Sequence, residues 1–298
     1  MFTKPIAFSV ALTALVASGG ARADGVTYVP VTSVYQDSKE APLKSPEGVA
    51  CTEAGAIAVA DTGNGRLLLY SLKDGAVSGG TEAKVAEAPY PVRLQFDSKG
   101  NLLVLDRKSH HIVKLDAKGA FLGLVEVKHG VGREAVPAAF KLDSADNLYV
   151  LDAVTGGIVV QDAGGNEMRR IDAPKGAVFT DIAVDNAGTI YAADEMGTMV
   201  FSAPKDAKAF APITSSLKDR MSFPAYLTAY RGRLTVVDQN GGGLVVLGID
   251  GSFQGRHLSM GWSEGFVYYP SQVCFPGPNY ILVADRGNNR VQLFSTGE

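Results

Sequence analysis

The sequence predicts an all-β protein, a single six-bladed β-propeller of four-stranded antiparallel blades. Two landmarks that recur together predict this fold. An apolar segment that ends in Asp occurs six times, at intervals of 45, 46, 42, 44 and 47 residues. A Pro, replaced by Phe179 in the fourth unit, lies 14 or 15 residues before each Asp. This period is that of a propeller blade, and a β-sandwich, the weaker alternative, requires no such recurrence. The six aspartates are Asp61, Asp106, Asp152, Asp194, Asp238 and Asp285.

Each unit contains three apolar segments separated by turns. The first two flank a turn such as "DSKGN" or "DNAGT", and the third, for example "RLLLYS" or "RVQLFS", follows the Asp. Short β-rich runs bounded by turn residues predict antiparallel strands, with a more variable fourth strand completing the blade.

The two ends of the chain predict how the ring closes. The last unit stops after its third segment, "RVQLFSTGE", while "GVTYVPVTSVY" stands before the first unit without a blade of its own. We expect this N-terminal segment to be the outer strand of the last blade, because closure removes exposed sheet edges.

The first 23 residues predict an export signal. Lys4 is followed by the apolar run "IAFSVALTALVA" and by the cleavage pattern Ala21-Arg22-Ala23, so residues 24–298 form the propeller. A membrane anchor, the alternative, needs about 20 apolar residues. The expected location is therefore periplasmic or secreted, with no membrane span. Without Lys4 and Arg22, 26 basic residues face 31 acidic ones, a net charge of −5, which argues against a nucleic-acid partner.

The repeats resemble the NHL-repeat family of six-bladed propellers. The resemblance is carried by "SPEGVACTEAGAIAVADTGNGRLLLYS" and "ADRGNNRVQLFS", in which Asn and Arg follow the Asp. The four middle units keep the Asp and lose the Asn-x-Arg. The resemblance implies the fold, and such propellers include enzymes and binding modules alike.

The first strand of each blade lines the channel, so polar residues on these strands are the candidate ligand site. Alternate positions, such as Leu94, Phe96, Val273 and Phe275, are apolar and are expected to pack between blades. Blade five fits only with a one-residue shift. A wet channel that binds no ligand is the alternative interpretation. The candidate residues are Arg93, Gln95, Lys141, Asp181, Tyr226, Thr228 and Gln272.

No metal or other cofactor is predicted from these strands. NHL-like amidating lyases hold zinc with histidines from several blades, and lactonase-type propellers collect Glu, Asn and Asp around calcium; among the channel candidates only Asp181 matches either pattern. The six recurring aspartates are expected to be structural, each accepting N–H groups of the turn that follows it.

Two further features stand out. The loop "GSFQGRHLSMGWSEGFVYYP" contains Trp262, Phe266, Tyr268 and Tyr269, which either form a partner-binding surface or cover the core of blade six. Cys51 and Cys274 lie on the first strands of blades one and six, which ring closure makes neighbours, and we predict a disulfide between them.

The expected function is that of an exported, non-catalytic binding or scaffold module, monomeric by itself. Its partner would be another exported or outer-membrane-associated protein, or a small molecule. The alternative is a metal-dependent lyase or hydrolase with its active site at the channel mouth, using Ca or Zn.

Overall fold

The computed structural model describes residues 26–129 and 133–297. Six sheets of four antiparallel strands form the ring, which confirms the predicted fold. The expected signal peptide, residues 1–23, lies outside the described residues. No helix of the described residues is long and apolar enough to span a membrane.

The N-terminal strand is β1 (Thr27–Val34), and the remaining strands follow blade by blade. Blade one contains β2 (Gly48–Cys51), β3 (Ala56–Asp61), β4 (Arg66–Lys73) and β5 (Ala76–Ala83). Blade two contains β6 (Pro91–Phe96), β7 (Leu102–Asp106), β8 (Ile112–Leu115) and β9 (Phe121–Val125). A short hairpin, β10 (Lys128–His129) and β11 (Arg133–Glu134), precedes blade three. Blade three contains β12 (Pro137–Leu142), β13 (Leu148–Asp152), β14 (Ile158–Gln161) and β15 (Glu167–Ile171). Blade four contains β16 (Phe179–Val184), β17 (Ile190–Asp194), β18 (Met199–Ala203) and β19 (Ala211–Pro212). Blade five contains β20 (Pro224–Tyr230), β21 (Arg233–Asp238), β22 (Gly243–Gly248) and β23 (Phe253–His257). Blade six contains β24 (Pro270–Cys274), β25 (Tyr280–Asp285) and β26 (Arg290–Gly297).

Strand β1 completes blade six as the sequence predicts. It pairs antiparallel with β26, from Thr27 opposite Gly297 to Val34 opposite Val291. The ring is therefore closed by one sheet built from both ends of the chain, and the edge of β26 is covered.

The one-residue shift in blade five lies in a turn and not in the channel. Pro224 pairs with Asp238 as Pro91 pairs with Asp106, but a tight turn at Arg231 and Gly232, both with positive φ, joins β20 to β21. A two-residue turn of this kind requires both residues to adopt a left-handed backbone conformation, and it makes the connection between the two strands shorter. We call the recurring Pro, or Phe179 in blade four, the blade-entry residue. Counted from it, the channel positions of all blades are equivalent.

The core lies between neighbouring blades, because each sheet buries both faces. Between blades one and two, for example, Ala58, Leu94 and Val104 pack in one buried cluster. Successive side chains of a strand alternate between its two faces, so each strand supplies two such clusters.

The aspartate at the end of each second strand ties its blade to the segment that enters it. Each carboxylate is buried and accepts a backbone N–H just before the blade-entry residue: Asp61 from Lys44, and Asp285 from Tyr268. Asp106, Asp152, Asp194 and Asp238 do the same. The bond to the entering segment was not predicted; the predicted bonds, from N–H groups of the turn that follows the Asp, are also present in several blades.

The Asn-x-Arg of blades one and six adds a charged partner to this arrangement. Arg66 Nε lies 2.7 Å from Asp61 Oδ2, and Arg290 Nε lies 2.7 Å from Asp285 Oδ2. Blade five reaches the same pairing by another route, because Arg256 of β23 lies 2.7 Å from Asp238 Oδ2. Losing the Arg from the repeat therefore does not always remove the ion pair.

Candidate functional site

The six first strands bring two rows of side chains to the channel. The row nearer the aspartates, at one end of the ring, consists of the second residue after each blade-entry residue: Gly48, Arg93, Ala139, Asp181, Tyr226 and Gln272. The row nearer the opposite end, where the turns between first and second strands lie, consists of Ala50, Gln95, Lys141, Ala183, Thr228 and Cys274. We call these ends the aspartate rim and the turn rim. All seven predicted channel residues lie in these two rows.

Several of these side chains bind the backbone of another blade and so link the inner strands. Arg93 Nη2 donates to the carbonyl oxygen of Ala225, from blade two to blade five, at 2.8 Å. Gln272 donates to the Leu94 carbonyl at 2.8 Å and accepts from the Leu94 N–H at 3.3 Å, so it reaches from blade six to blade two. These links cross the ring and narrow the channel at the row nearer the aspartate rim.

Glycine at position 48 makes the link from blade six to blade two possible. A Cβ atom on Gly48 would lie 3.1 Å from the Leu94 side chain and 3.1 Å from the Val92 carbonyl oxygen. These distances are shorter than ordinary van der Waals contacts. Only glycine at this position therefore leaves room for β6 of blade two to lie this close to β2.

Gln95 has a structural role of the same kind. Its amide donates to the Leu142 carbonyl at 3.0 Å and accepts from the Leu142 N–H at 2.9 Å. Its hydrogen-bonding groups are thus committed to blade three, as those of Gln272 are to blade two.

The chemically distinctive group is a buried ion pair between blades three and four. Lys141, 6% exposed, and Asp181, 0% exposed, approach to 3.4 Å between Nζ and Oδ2. Asp181 Oδ2 also accepts the Leu227 N–H at 2.9 Å. Buried charges of opposite sign require such compensation, because each has lost its hydration.

Tyr226 completes the environment of the lysine. The Lys141 ammonium lies 3.6 Å from the centre of the Tyr226 ring, a cation–π distance. The Tyr226 hydroxyl lies 3.4 Å from Gln272 Nε2. Within the described residues, Asp181 Oδ1 is buried without a hydrogen-bond partner, so this carboxylate keeps one acceptor uncommitted.

A cavity of 220 Å³ lies over this group toward the turn rim. Its polar wall contains Lys141, Tyr226 and Thr228 besides the two committed glutamines, and aliphatic, aromatic and disulfide side chains form the remainder. Asp181 does not line it. A ligand would therefore meet the ammonium of Lys141, with the carboxylate behind it.

The aromatic mouth of this channel cavity was not predicted from the sequence. Tyr230 and Phe275 stack with ring centres 4.6 Å apart and an interplanar angle of 9°, and both line the cavity with Phe96. Burial, and then the nearby Glu53 carboxylate, raise the pKa of Tyr230. Phe96 and Phe275 pack against the cores between blades as expected, but both are only half-buried and also line the cavity. Their place at the ends of the inner strands was the available signal.

The disulfide between Cys51 and Cys274 is present and forms part of the cavity wall. Its Cα atoms lie 5.8 Å apart. It joins the first strands of blades one and six, where the ring closes, as predicted.

The donor set at the channel centre does not fit a resident metal ion. Within residues 26–129 and 133–297, no three His, Cys, Asp or Glu side chains come together in a geometry that could hold one. Asp181 is the single carboxylate of the group, and its Oδ2 faces the Lys141 ammonium. Calcium takes six to eight oxygen ligands, and zinc four ligands, which one carboxylate already paired with a lysine does not supply.

The loop residues expected to bind a partner lie on the aspartate rim of blade six. Trp262 is 76% exposed, and Phe266 and Tyr269 are exposed as well. Tyr268 is half-buried and contacts the rings of Trp262 and Tyr269. Val267, rather than these aromatic residues, is the fully buried side chain of this segment.

Comparison with known proteins supports the fold through structure alone. No family model matches the chain, and no curated protein matches it. A gluconolactonase from Xanthomonas campestris is similar with 15% identity and a TM-score of 0.65, covering 92% of this chain and 98% of that one. A catalytically inactive virginiamycin B lyase from Staphylococcus aureus, solved with quinupristin, has 13% identity and a TM-score of 0.63, with 91% and 99% covered. A PQQ-bound aldose sugar dehydrogenase from Streptomyces coelicolor has 13% identity and a TM-score of 0.61, with 91% and 98% covered.

The comparisons correct the expected function. The proteins named as structural neighbours are a lyase, a gluconolactonase and a sugar dehydrogenase, which contradicts the expectation of a non-catalytic scaffold and favours the enzyme alternative. At these identities the similarity shows a six-bladed β-propeller and assigns no residue a role.

Proposed function

We propose that this chain is an enzyme of the lyase or hydrolase class, with its active site in the channel cavity above Lys141. The observation that carries the proposal is a lysine–aspartate pair buried under a cavity, with the lysine facing the cavity and the aspartate behind it. The names of the gluconolactonase and the virginiamycin B lyase support the same two reaction classes.

Lys141 would bind the carbonyl oxygen of the substrate. Hydrolysis of a lactone or ester, and elimination beside a carbonyl, both build negative charge on that oxygen, and a fixed ammonium in a water-poor site stabilises such charge strongly. Asp181 and the ring of Tyr226 hold the ammonium in place, so little reorganisation is needed during the reaction.

The cavity favours a small, uncharged carbonyl compound. Asp181 already balances the charge of Lys141, so a carbonyl oxygen can accept from the ammonium without displacing its counter-ion. A volume of 220 Å³ is below the roughly 300 to 1,000 Å³ typical of pockets for drug-sized ligands. The aromatic mouth would contact the apolar part of the substrate.

An activity screen with a lysine variant tests this proposal. The mature protein would be assayed with a panel of small lactones and simple esters, following acid release and, by mass spectrometry, elimination products. Lys141→Met should lower kcat/KM at least about a hundredfold, as removal of an oxyanion-stabilising donor does. Lys118→Met, on an exposed turn, is the matched control and should leave the rate unchanged.

We also propose that the chain is an exported, NHL-type member of the propeller class. The export signal in residues 1–23 and the Asn-x-Arg of blades one and six support this, and the Cys51–Cys274 disulfide fits an oxidising compartment. Mass analysis of the protein from its host should give a chain that begins at Asp24; a chain retaining residues 1–23 would contradict export by cleavage.

A further inference from the structure

A second cavity lies on the outer wall between blades three and four, apart from the channel. Its volume is 550 Å³. Arg169 and Arg170 of β15 line one side, and Lys205 and Lys208, from the segment after β18, line the other. The single carboxylate in its lining is that of Asp206. The lining therefore has four basic side chains and one acidic side chain, an excess of positive charge in a protein whose net charge is −3.

Arg169 is fixed in this cavity by backbone carbonyl oxygens. Its guanidinium donates to Pro204 at 3.1 Å and to Lys205 at 2.7 Å, and also to Ala207. The Ala207 N–H closes the same turn on the Pro204 carbonyl at 2.9 Å. The arginine therefore holds the turn that presents the two lysines, in a defined position relative to β15.

The charge of Arg169 has no carboxylate partner at ion-pair distance among the described residues. Its bonds are to neutral carbonyl groups, and burial lowers the pKa of its guanidinium. A positive charge that has lost part of its hydration, and that the Asp206 carboxylate offsets only from beyond ion-pair distance, is stabilised further by a bound anion.

The two lysines are also without ion pairs in the part of the chain that the structure describes. The stem of Lys205 runs beside Gly188, where a Cβ atom would lie 3.5 Å from Lys205 Cδ. Arg170, by contrast, pairs with Glu167 at 2.5 Å. The cavity thus combines three cations that lack carboxylate partners, Arg169, Lys205 and Lys208.

We propose that this cavity binds a small molecule carrying two or more anionic oxygen groups, either phosphates or carboxylates. Lysine and arginine side chains on two walls can contact separate anionic groups at once. The volume falls within the range of small-molecule sites. Tyr149 and Val160 add an apolar wall, which can contact the carbon skeleton of the ligand.

Titration calorimetry with pyrophosphate and with citrate, at low salt and on the disulfide-bonded mature protein, tests this site. At least one probe should bind with 1:1 stoichiometry, and which one binds distinguishes phosphate from carboxylate chemistry. The double variant Lys205→Gln/Lys208→Gln should raise the dissociation constant about tenfold or more. Neither lysine side chain makes a hydrogen bond or ion pair within the described residues, so the fold should be retained.

The double variant Lys39→Gln/Lys118→Gln is the matched control, because it removes the same charge from two exposed turns. Its affinity for the probe should equal that of the wild type. Absence of binding by both probes at millimolar concentration would overturn the proposal. An equal loss of affinity in the two double variants would overturn it as well, since binding would then follow the overall charge of the protein.

Discussion

Replacing Lys141 by Met should destabilise the protein strongly, because it leaves Asp181 buried without its cation. Lys141 and Asp181 have side-chain exposures of 8% and 0%, so solvent does little to screen either charge. Breaking a buried ion pair from one side costs about 3 to 5 kcal/mol. For a domain of this size, that corresponds to a fall in Tm of roughly 6 to 20 °C.

The matched double variant separates a buried charge from a loss of packing. Asn at position 181 is uncharged and keeps an acceptor for the Leu227 N–H, which Asp181 Oδ2 now accepts. Lys141→Met/Asp181→Asn should therefore recover most of the lost stability, giving a coupling energy of about 2 kcal/mol or more in urea unfolding. A Lys141→Met variant that loses less than about 1 kcal/mol, with no coupling to position 181, would show that Lys141 does not compensate the Asp181 charge.

Three further variants test other parts of the account. Replacing Cys51 and Cys274 by Ala should lower the unfolding free energy by roughly 2 to 5 kcal/mol in urea, because the bridge spans 223 residues and restrains the unfolded chain; equal stability of the two forms would contradict this. Gly48→Ala should cost about 1 to 3 kcal/mol by the same measurement, since the added methyl group overpacks the channel, and a neutral effect would show that the inner strands can move apart. Burial would raise the pKa of Asp97, but hydrogen bonds from Lys114 and Asn101 outweigh it and hold the pKa below its usual value. Lys114→Met should therefore cost about 1 kcal/mol near neutral pH. The difference from wild type should shrink once pH falls below about 4 and vanish when Asp97 is protonated in the folded protein as well; a difference that persists in that acid range would contradict the charge assignment.

The repeat could be predicted from the sequence because its Asp and Pro landmarks have the same structural role in each blade where they occur. The aspartates recur since each must accept an N–H from the segment that enters its blade, as Asp61 does from Lys44. The prolines recur where the chain enters the inner strand, because the first residue of a strand tolerates the loss of an N–H donor; Pro91, Pro137, Pro224 and Pro270 are the first residues of their strands, and Pro46 lies two residues before β2. The pairing of β1 with blade six could be predicted by counting the apolar segments at the two ends of the chain.

The residues that line the channel could be predicted from the sequence, but the hydrogen bonds that they form could not. Alternation along each first strand identified Arg93, Lys141, Asp181 and Gln272 as channel residues. Which of them is committed to structure depends on contacts across the ring, such as Gln272 with Leu94, and no local pattern encodes these contacts. The same holds for Arg256, which reaches Asp238 from the outer strand of blade five.

The most direct test of the central claim compares turnover by wild-type protein and by Lys141→Met, with Lys118→Met as control, at a temperature well below the Tm of each. We expect wild-type protein and the control to open a small lactone or ester at equal rates, and Lys141→Met to lose at least about a hundredfold in kcat/KM. Treatment with a chelator before the assay should leave the rate unchanged, because the donor set around Asp181 does not fit a metal ion. Wild-type activity in folded Lys141→Met, or no turnover of any lactone or ester by the wild-type protein, would contradict the assignment of the channel cavity as an active site.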